Sequence, residues 1–240
     1  MAIKLVSLNI EGKKHLKEVG EFLVKTEADI VCLMEVCRED VLELAGEHYP
    51  FVVFAPNDVL GNHKNVDDSL VETGVAILSK QVIEESEKDY FGEKPRTFID
   101  RSGTTSHAPV LLTAKVGGLD LGLVHFTWSI NGNVSEIQRK HLKLLLGKVK
   151  DREMVLCGDF NIPRGNELYS EIAKNFKDNI PSEIESTLDP VLHYANKEEV
   201  GRLKYVVDYV WSTKGYVVTD LQVISGVSDH CALVCTISLV

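Results

Sequence analysis

The chain has 240 residues, 44% of them hydrophobic and 26% charged, which is enough apolar mass for a large core and excludes a disordered polymer. Its formal net charge of -10 excludes a protein that coats nucleic acid or acidic membrane by bulk attraction, so a polyanionic partner must meet a local basic patch or a bound cation. Five cysteines, an odd number without a CxxC pair, point away from a disulfide framework or zinc ribbon and towards a reducing cytoplasm.

"MAIKLVSLN" enters an apolar segment at once, without a basic leader or a small-residue cleavage site, and no run reaches the roughly eighteen apolar residues of a membrane-spanning helix. Neither secretion nor membrane insertion is expected. The first strand closes on Asn9, and a stripe of Leu16, Val19, Phe22 and Leu23 predicts a helix after it. "DIVCLM" is the next strand, stopping against Glu35, and "REDVLEL" is a short helix. "FVVF" and "GVAIL" follow, with Glu72 just before the latter, and then "VLLTAKV" and "LDLGLVHF", which carries His125. Ser135 and Gln138 sit at capping-box spacing at the head of "SEIQRKHLKLLLGKV" and predict a helix there. "MVLCGDF" leads to Asp159 and Asn161, "NELYSEIAKNF" reads as a short helix, and "YVVDYVW" contains Asp208. "GYVVTDLQVI" and "CALVCTISLV" are the last strands, Asp229 and His230 preceding the second of them.

That makes about ten strands. Several are apolar on both faces, so something must cover both sides of their sheets. Helices alternate with strands early and late, while Val71 to Phe126 is nearly all strand; the mixture favours a layered α/β sandwich over a doubly wound sheet. No repeat, low-complexity tract or linker divides the chain, which predicts one domain over residues 1–240. The polar segments Pro56 to Val71, Lys88 to Pro109 and Asp178 to Lys204 are candidate substrate-facing rims.

Asn9, Glu35, His125, Asp159, Asp208, Asp229 and His230 all stand where an apolar residue would pack better, mostly at strand ends. Burying a lone carboxylate is costly enough to demand a partner or a cation. Taken singly, each has a local reading: Asn161 before Pro163 shapes a turn, Asp159 caps it, and Asp208 pairs with Arg202 or Lys204. Taken together they describe one shared site. Its carboxylates and amides, with no thiolate among them, suit Mg²⁺ or Mn²⁺ better than zinc.

"SLN" at Asn9, "DIVCLMEV" around Glu35, "GVAILSK", "LVHF" at His125, "GDFN", "VDY" at Asp208 and "SDH" stand in the order found in the endonuclease/exonuclease/phosphatase (DNase I-like) superfamily, which the chain resembles from residue 3 to residue 239. The resemblance implies a four-layer α/β sandwich, two packed mixed β-sheets flanked by helices, and a divalent-metal phosphoesterase with its site at one sheet edge. It implies Glu35 as main Mg²⁺ ligand, with Asn9 beside it and Asp229 near the metal. Asp159, helped by Asn161, would orient and deprotonate the attacking water. His230, oriented by Asp208, would contact the scissile phosphate, and His125 would serve the leaving group. DNase I-like members hold a glutamate that pairs with this histidine, and Glu72 falls at that place. Met34 and Leu8 depart from the residues frequent before Glu35 and Asn9 but remove no ligand.

Arg96, Arg101 and Arg164 are the candidate substrate-phosphate contacts, whereas Lys13, Lys14 and Lys17 read as a solvated helix face. Phe126, Trp128 and Tyr90 are candidate stacking or packing aromatics. The expected activity is Mg²⁺- or Mn²⁺-dependent hydrolysis of a phosphodiester, with nucleic acid as substrate. A phosphatase or phosphodiesterase acting on a lipid head group or small phosphorylated metabolite is the enzymatic alternative, and a silent binding module of the same fold is the alternative from another class. No obligate protein partner is inferred.

Overall fold

All ten apolar runs become strands, and two polar segments join them. A computed structural model describes residues 2–61, 70–92, 108–194 and 204–240. In chain order its strands are β1 (Ala2–Asn9), β2 (Ile30–Cys37), β3 (Phe51–Gly61), β4 (Leu70–Ser79), β5 (Ile83–Tyr90), β6 (Val110–Val116), β7 (Leu119–His125), β8 (Val155–Asp159), β9 (Lys177–Asp178), β10 (Asp208–Ser212), β11 (Tyr216–Ile224) and β12 (Ala232–Leu239). Its α-helices are α1 (Leu16–Thr26), α2 (Arg38–Ala45), α3 (Glu136–Val149) and α4 (Glu167–Ile172).

The strands form two six-stranded sheets, ordered β11-β12-β1-β2-β4-β3 and β5-β6-β7-β8-β10-β9. Each is mixed and built round one parallel pair, β1 with β2 and β7 with β8. A parallel pair cannot be joined by a tight turn, and the connection in each sheet is a helix, α1 in the first and α3 in the second. The capping box at the head of α3 forms as its sequence predicts, Ser135 accepting from the Gln138 backbone and Gln138 answering.

Period-two alternation decides what each strand covers. Leu5, Cys32, Met34 and Ile77 point between the sheets, against Leu112, Leu123 and Cys157 of the other sheet. Val6, Leu8, Val31 and Leu33 point the opposite way and pack under Val19 and Leu23 of α1 and Val41 of α2. Leu142, Leu145 and Val149 of α3 and Leu168 and Ile172 of α4 join the core that includes the second sheet. The result is the four-layer DNase I-like α/β sandwich, and both parallel pairs end at the same edge of it.

β5 escaped pattern reading because its sequence, IEESEKDY, is almost wholly charged or polar. It is an edge strand held by backbone pairing to β6, and charge on such an edge blocks pairing with another chain. Among the described residues no helix is long and apolar enough to cross a membrane, and all five cysteines are free and buried.

Candidate active site

Asn9 closes β1 opposite Met34, and Glu35 follows at the point where β2 slips its register against β4, between Leu33 and Val36. Leu33 and Val36 both face the helix layer, so one extra residue has been inserted between them. That bulge puts Glu35 at φ 55 and re-aims a side chain that plain alternation would send under the helices. Gly74, opposite Val36 on β4, lets β3 pack close on its other side: a Cβ there would lie 2.1 Å from the Ala55 carbonyl oxygen.

The Oδ1 of Asn9 accepts from the Glu11 backbone N–H at 3.2 Å, which fixes the orientation of its amide. Its NH₂ therefore faces the acids, 3.0 Å from Glu35 Oε1 and 3.3 Å from Asp159 Oδ2. Asn9 thus holds the two carboxylates together and turns its oxygen towards the Glu11 backbone.

At the same edge the second sheet lines up three polar residues in one rung: His125 ends β7 opposite Asp159, and Asp159 ends β8 opposite Asp208. Asp159 Oδ1 accepts the Asn161 N–H at 2.8 Å. Asn161, at φ 50, sends its side-chain amide to the Phe126 carbonyl at 3.1 Å. Asp208 Oδ2 lies 2.9 Å from His230 Nδ1, so Asp208 pairs with the histidine and the local pairing with Lys204 is not made. The outer nitrogen of His230 then stands 3.9 Å from Asp159 Oδ2. His125 Nε2 lies 3.7 Å from Glu35 and 3.9 Å from Asp159.

Burial and charge set the protonation of these groups. Burial first, then the Asp208 charge, push Asp159 up to about 7, against the opposing pull of His230. Asp229 is also raised, mainly by burial. Burial works against a charged His230, but Asp208, Asp159 and Asp229 outweigh it and hold the ring well above the ordinary histidine range. His125 goes the other way, down to about 3, through burial and then the neighbouring His230 charge.

The donor set fits a hard divalent cation. Among the described residues Glu35, Asp159, Asp208 and Asp229 meet no Lys or Arg in an ion pair; Glu35 and Asp159 face His125, and Asp159 and Asp208 face His230. Without a cation the edge takes up protons instead, which is what the raised Asp159 and Asp229 carboxyls express. Among the described residues two groups bring three ligand atoms close enough for one ion: Asp159 with Asp208 and His230, and His193 with Asp229 and His230. Glu35 belongs to neither group.

Two expected contacts are overturned. Glu72 pairs with Arg38 at the surface and does not reach His125; Asn57 takes that place, its Nδ2 3.3 Å from His125 Nδ1. An amide nitrogen only donates, so His125 Nδ1 accepts and carries its proton on Nε2. Arg164 is no free phosphate contact: its guanidinium meets Asp178 at 2.9 Å and the carbonyls of Ile180, Pro181 and Ile184 at 2.9–3.2 Å. Arg96 and Arg101 lie outside the described residues. Phe126 is fully buried, Tyr90 donates its hydroxyl to the Pro56 carbonyl, and Trp128 alone of the three aromatics is largely exposed.

Residues that pattern reading missed complete the site. Thr187 Oγ1 accepts from the Val207 and Asp208 N–H groups, both at 3.1 Å, and so fixes where Asp208 begins β10. Asp189 donates its N–H to the Asp229 carbonyl, and Leu188 bridges to His230. Asn57 carried the same signal as the others, a polar residue beyond an apolar run; Thr187 and Asp189 sit in a polar segment with no periodicity to mark them.

The sequence profile of the Endonuclease/Exonuclease/phosphatase family matches residues 6–230. The fold is similar to that of an endonuclease/exonuclease/phosphatase from Bacteroides vulgatus (17% identity, TM-score 0.70, all of both chains covered). It is similar also to D. rerio TDP2 solved with a single-strand DNA product (19% identity, TM-score 0.71, 99% of each chain) and to a mannosyl-6-phosphatase of Bacteroides thetaiotaomicron (13% identity, TM-score 0.68, 99% of each chain). No curated protein matches the chain. With its profile spanning nearly the whole length and its polar motifs meeting at one sheet edge, the chain belongs to the endonuclease/exonuclease/phosphatase family.

Proposed function

We propose that the protein is a Mg²⁺- or Mn²⁺-dependent phosphoesterase that hydrolyses a phosphodiester in nucleic acid. The observation that carries the reading is the single rung of His125, Asp159 and Asp208, set against Asn9 and Glu35 of the other sheet. Glu35 and Asp229 would hold the cation, which, when bound, neutralises charge on the phosphate oxygens and eases deprotonation of the nucleophile.

Asp159 serves as base. One oxygen is fixed by the Asn161 N–H, and the other, which faces the Asn9 amide and His230, takes a proton from water. His230 carries the positive charge: Asp208 holds its Nδ1, so its Nε2–H points into the site and binds a phosphate oxygen. His125, neutral, donates an Nε2–H hydrogen bond to the reacting group. Pushed down to about 3, it is a poor proton donor to the leaving oxygen, so its part is stabilisation.

TDP2 with its single-strand DNA product supports nucleic acid as the substrate. A second reading, a small phosphorylated metabolite or lipid head group, draws on the mannosyl-6-phosphatase likeness and on the loss of Arg164 as a free contact. Hydrolysis of bis-p-nitrophenyl phosphate with Mg²⁺ or Mn²⁺, abolished by EDTA, is the expected result. No cleavage with either metal across plasmid, abasic, single-stranded, 5′-tyrosyl and sugar or inositol phosphate substrates would leave the silent binding module. The substrate turned over fastest separates the two enzymatic readings.

A further inference from the structure

His193 lies outside every motif of the catalytic edge, yet it is buried beside it. Its ring meets that of His230 edge-on, with centroids 5.9 Å apart and planes at 75°. His193, Asp229 and His230 are each only 7% exposed, and their ligand atoms all lie within 4.8 Å of one another. Three donors of a tetrahedral metal with bonds of about 2.0 Å sit about 3.3 Å apart. Binding an ion requires the three side chains to close from within 4.8 Å to that spacing.

The segment carrying His193 is anchored to the strand end that carries the other two donors. Asp189 Oδ1 accepts the Val191 and Leu192 N–H groups at 2.8 Å, and its Oδ2 accepts Gly226 N–H at 2.6 Å. Its backbone N–H donates to the Asp229 carbonyl at 2.8 Å, and the next turn of chain is pinned by the Cys231 N–H to the Thr187 carbonyl at 2.7 Å. Donors held on a braced frame are what a preorganised ligand set requires. The second nitrogen of His230 is already hydrogen-bonded to Asp208, the carboxylate–histidine arrangement that orients a ligating imidazole.

Two imidazoles and one carboxylate select differently from the oxygen-rich set around Glu35. Nitrogen donors favour zinc and its transition-metal neighbours over Mg²⁺. We propose that His193, Asp229 and His230 form a transition-metal site, for Zn²⁺ or a similar ion, adjoining the hard-cation site and sharing Asp229 with it. An ion there engages the His230 Nε2 that the proposed function turns towards phosphate. The consequence, which alone rests on that reading, is that Zn²⁺ inhibits the enzyme and His193 makes it sensitive.

The binding test needs no turnover. Co²⁺ added to the whole chain in excess Mg²⁺ gives one equivalent of visible d–d absorbance of the intense, low-coordinate kind, and Zn²⁺ displaces it. His193→Ala weakens that binding more than about tenfold, while His193→Asp, which keeps a ligand on the same segment, retains most of it. His193→Gln, of closer size, stands in if the alanine variant fails to fold by circular dichroism. Binding unchanged in the alanine or glutamine variant, or only the weak spectrum of an octahedral all-oxygen site, would overturn the proposal. If no phosphoester is cleaved but the Co²⁺ result holds, the catalytic reading has failed and the metal site stands.

Discussion

The two sheets bring to the shared edge the same device, a parallel strand pair joined by a helix, and use it in opposite ways. The β1/β2 end delivers Glu35 through a bulge into half-exposed space, with 41% of its side chain accessible, whereas the β7/β8 end keeps Asp159 flush in its rung at 2%. Exposure keeps Glu35 in reach of solvent. Burial raises the Asp159 carboxyl, because desolvation raises the cost of its charge. One edge thus holds two kinds of carboxylate, one carried out of alternation by an inserted residue and one kept in register.

The largest way to break this contrast is Asp159→Asn. Turnover should fall by about a thousandfold, within the range for loss of a general base. The same variant sharpens the contrast through stability measured in EDTA. Because the folded carboxyl is raised from the ordinary carboxyl range to about 7, the metal-free folded state holds a proton that the unfolded chain has released. Its contribution is present below the ordinary carboxyl range and is lost as pH rises towards 7. Urea unfolding from pH 4 to 8 should therefore show Asp159→Asn gaining on the wild type as pH rises. A difference between the two that does not change with pH would show that burial does not tune this group.

Asp208→Asn comes next, with an expected loss of about a hundredfold in turnover as the His230 charge loses its holder. The sign in pH is fixed by the partner: Asp208 raises His230, so its removal lowers the ring's pKa and moves the alkaline limb of the rate profile to lower pH. An unmoved alkaline limb would mean that the charged form of His230 does not matter. Gly74→Ala tests the other end of the comparison. A Cβ 2.1 Å from the Ala55 carbonyl oxygen forces β3 and β4 apart, so stability should drop by about 3 kcal/mol, on the order of 10 °C in Tm. Mg²⁺ should then bind more weakly in calorimetry, because the Glu35 bulge of β2 pairs with β4 at Gly74.

These outcomes bear on what a sequence can disclose. Asn9, Glu35, His125, Asp159, Asp208, Asp229 and His230 were all legible, since a polar residue ending an apolar run is costly and the cost repeats. The ten apolar strands were legible for the same reason. β5 was not, because an edge strand draws its stability from backbone pairing and carries its charges outward. The Glu35 bulge was not, because a register slip of one residue leaves no mark on composition. Arg164 was misread because a cation close to a phosphate-type motif looks alike whether it meets substrate or four backbone and carboxylate oxygens of its own fold. Thr187 and His193 lie in a segment without periodicity, so only the folded edge gathers them in.

The smallest expected effect falls on His125, where two polar neighbours at the β3/β4 side can be told apart. Glu72 is paired with Arg38, and both side chains are about half exposed; a surface pair of this kind contributes little. Glu72→Gln should change kcat/KM by less than about twofold. Asn57 is 1% exposed and directs its amide at His125 Nδ1; its loss frees the ring to carry its proton on the wrong nitrogen. Asn57→Leu should cost about tenfold in turnover, the worth of one neutral hydrogen bond that fixes a tautomer. It should also move the His125 Nε2 resonance in ¹⁵N spectra towards the unprotonated position, which Glu72→Gln leaves alone. The reverse pattern, a silent Asn57 and a damaging Glu72, would restore the carboxylate partner that the sequence suggested. It would also mean that His125 works as a charged ring, and the division between an open cation end and a buried proton-transfer end would no longer describe this edge.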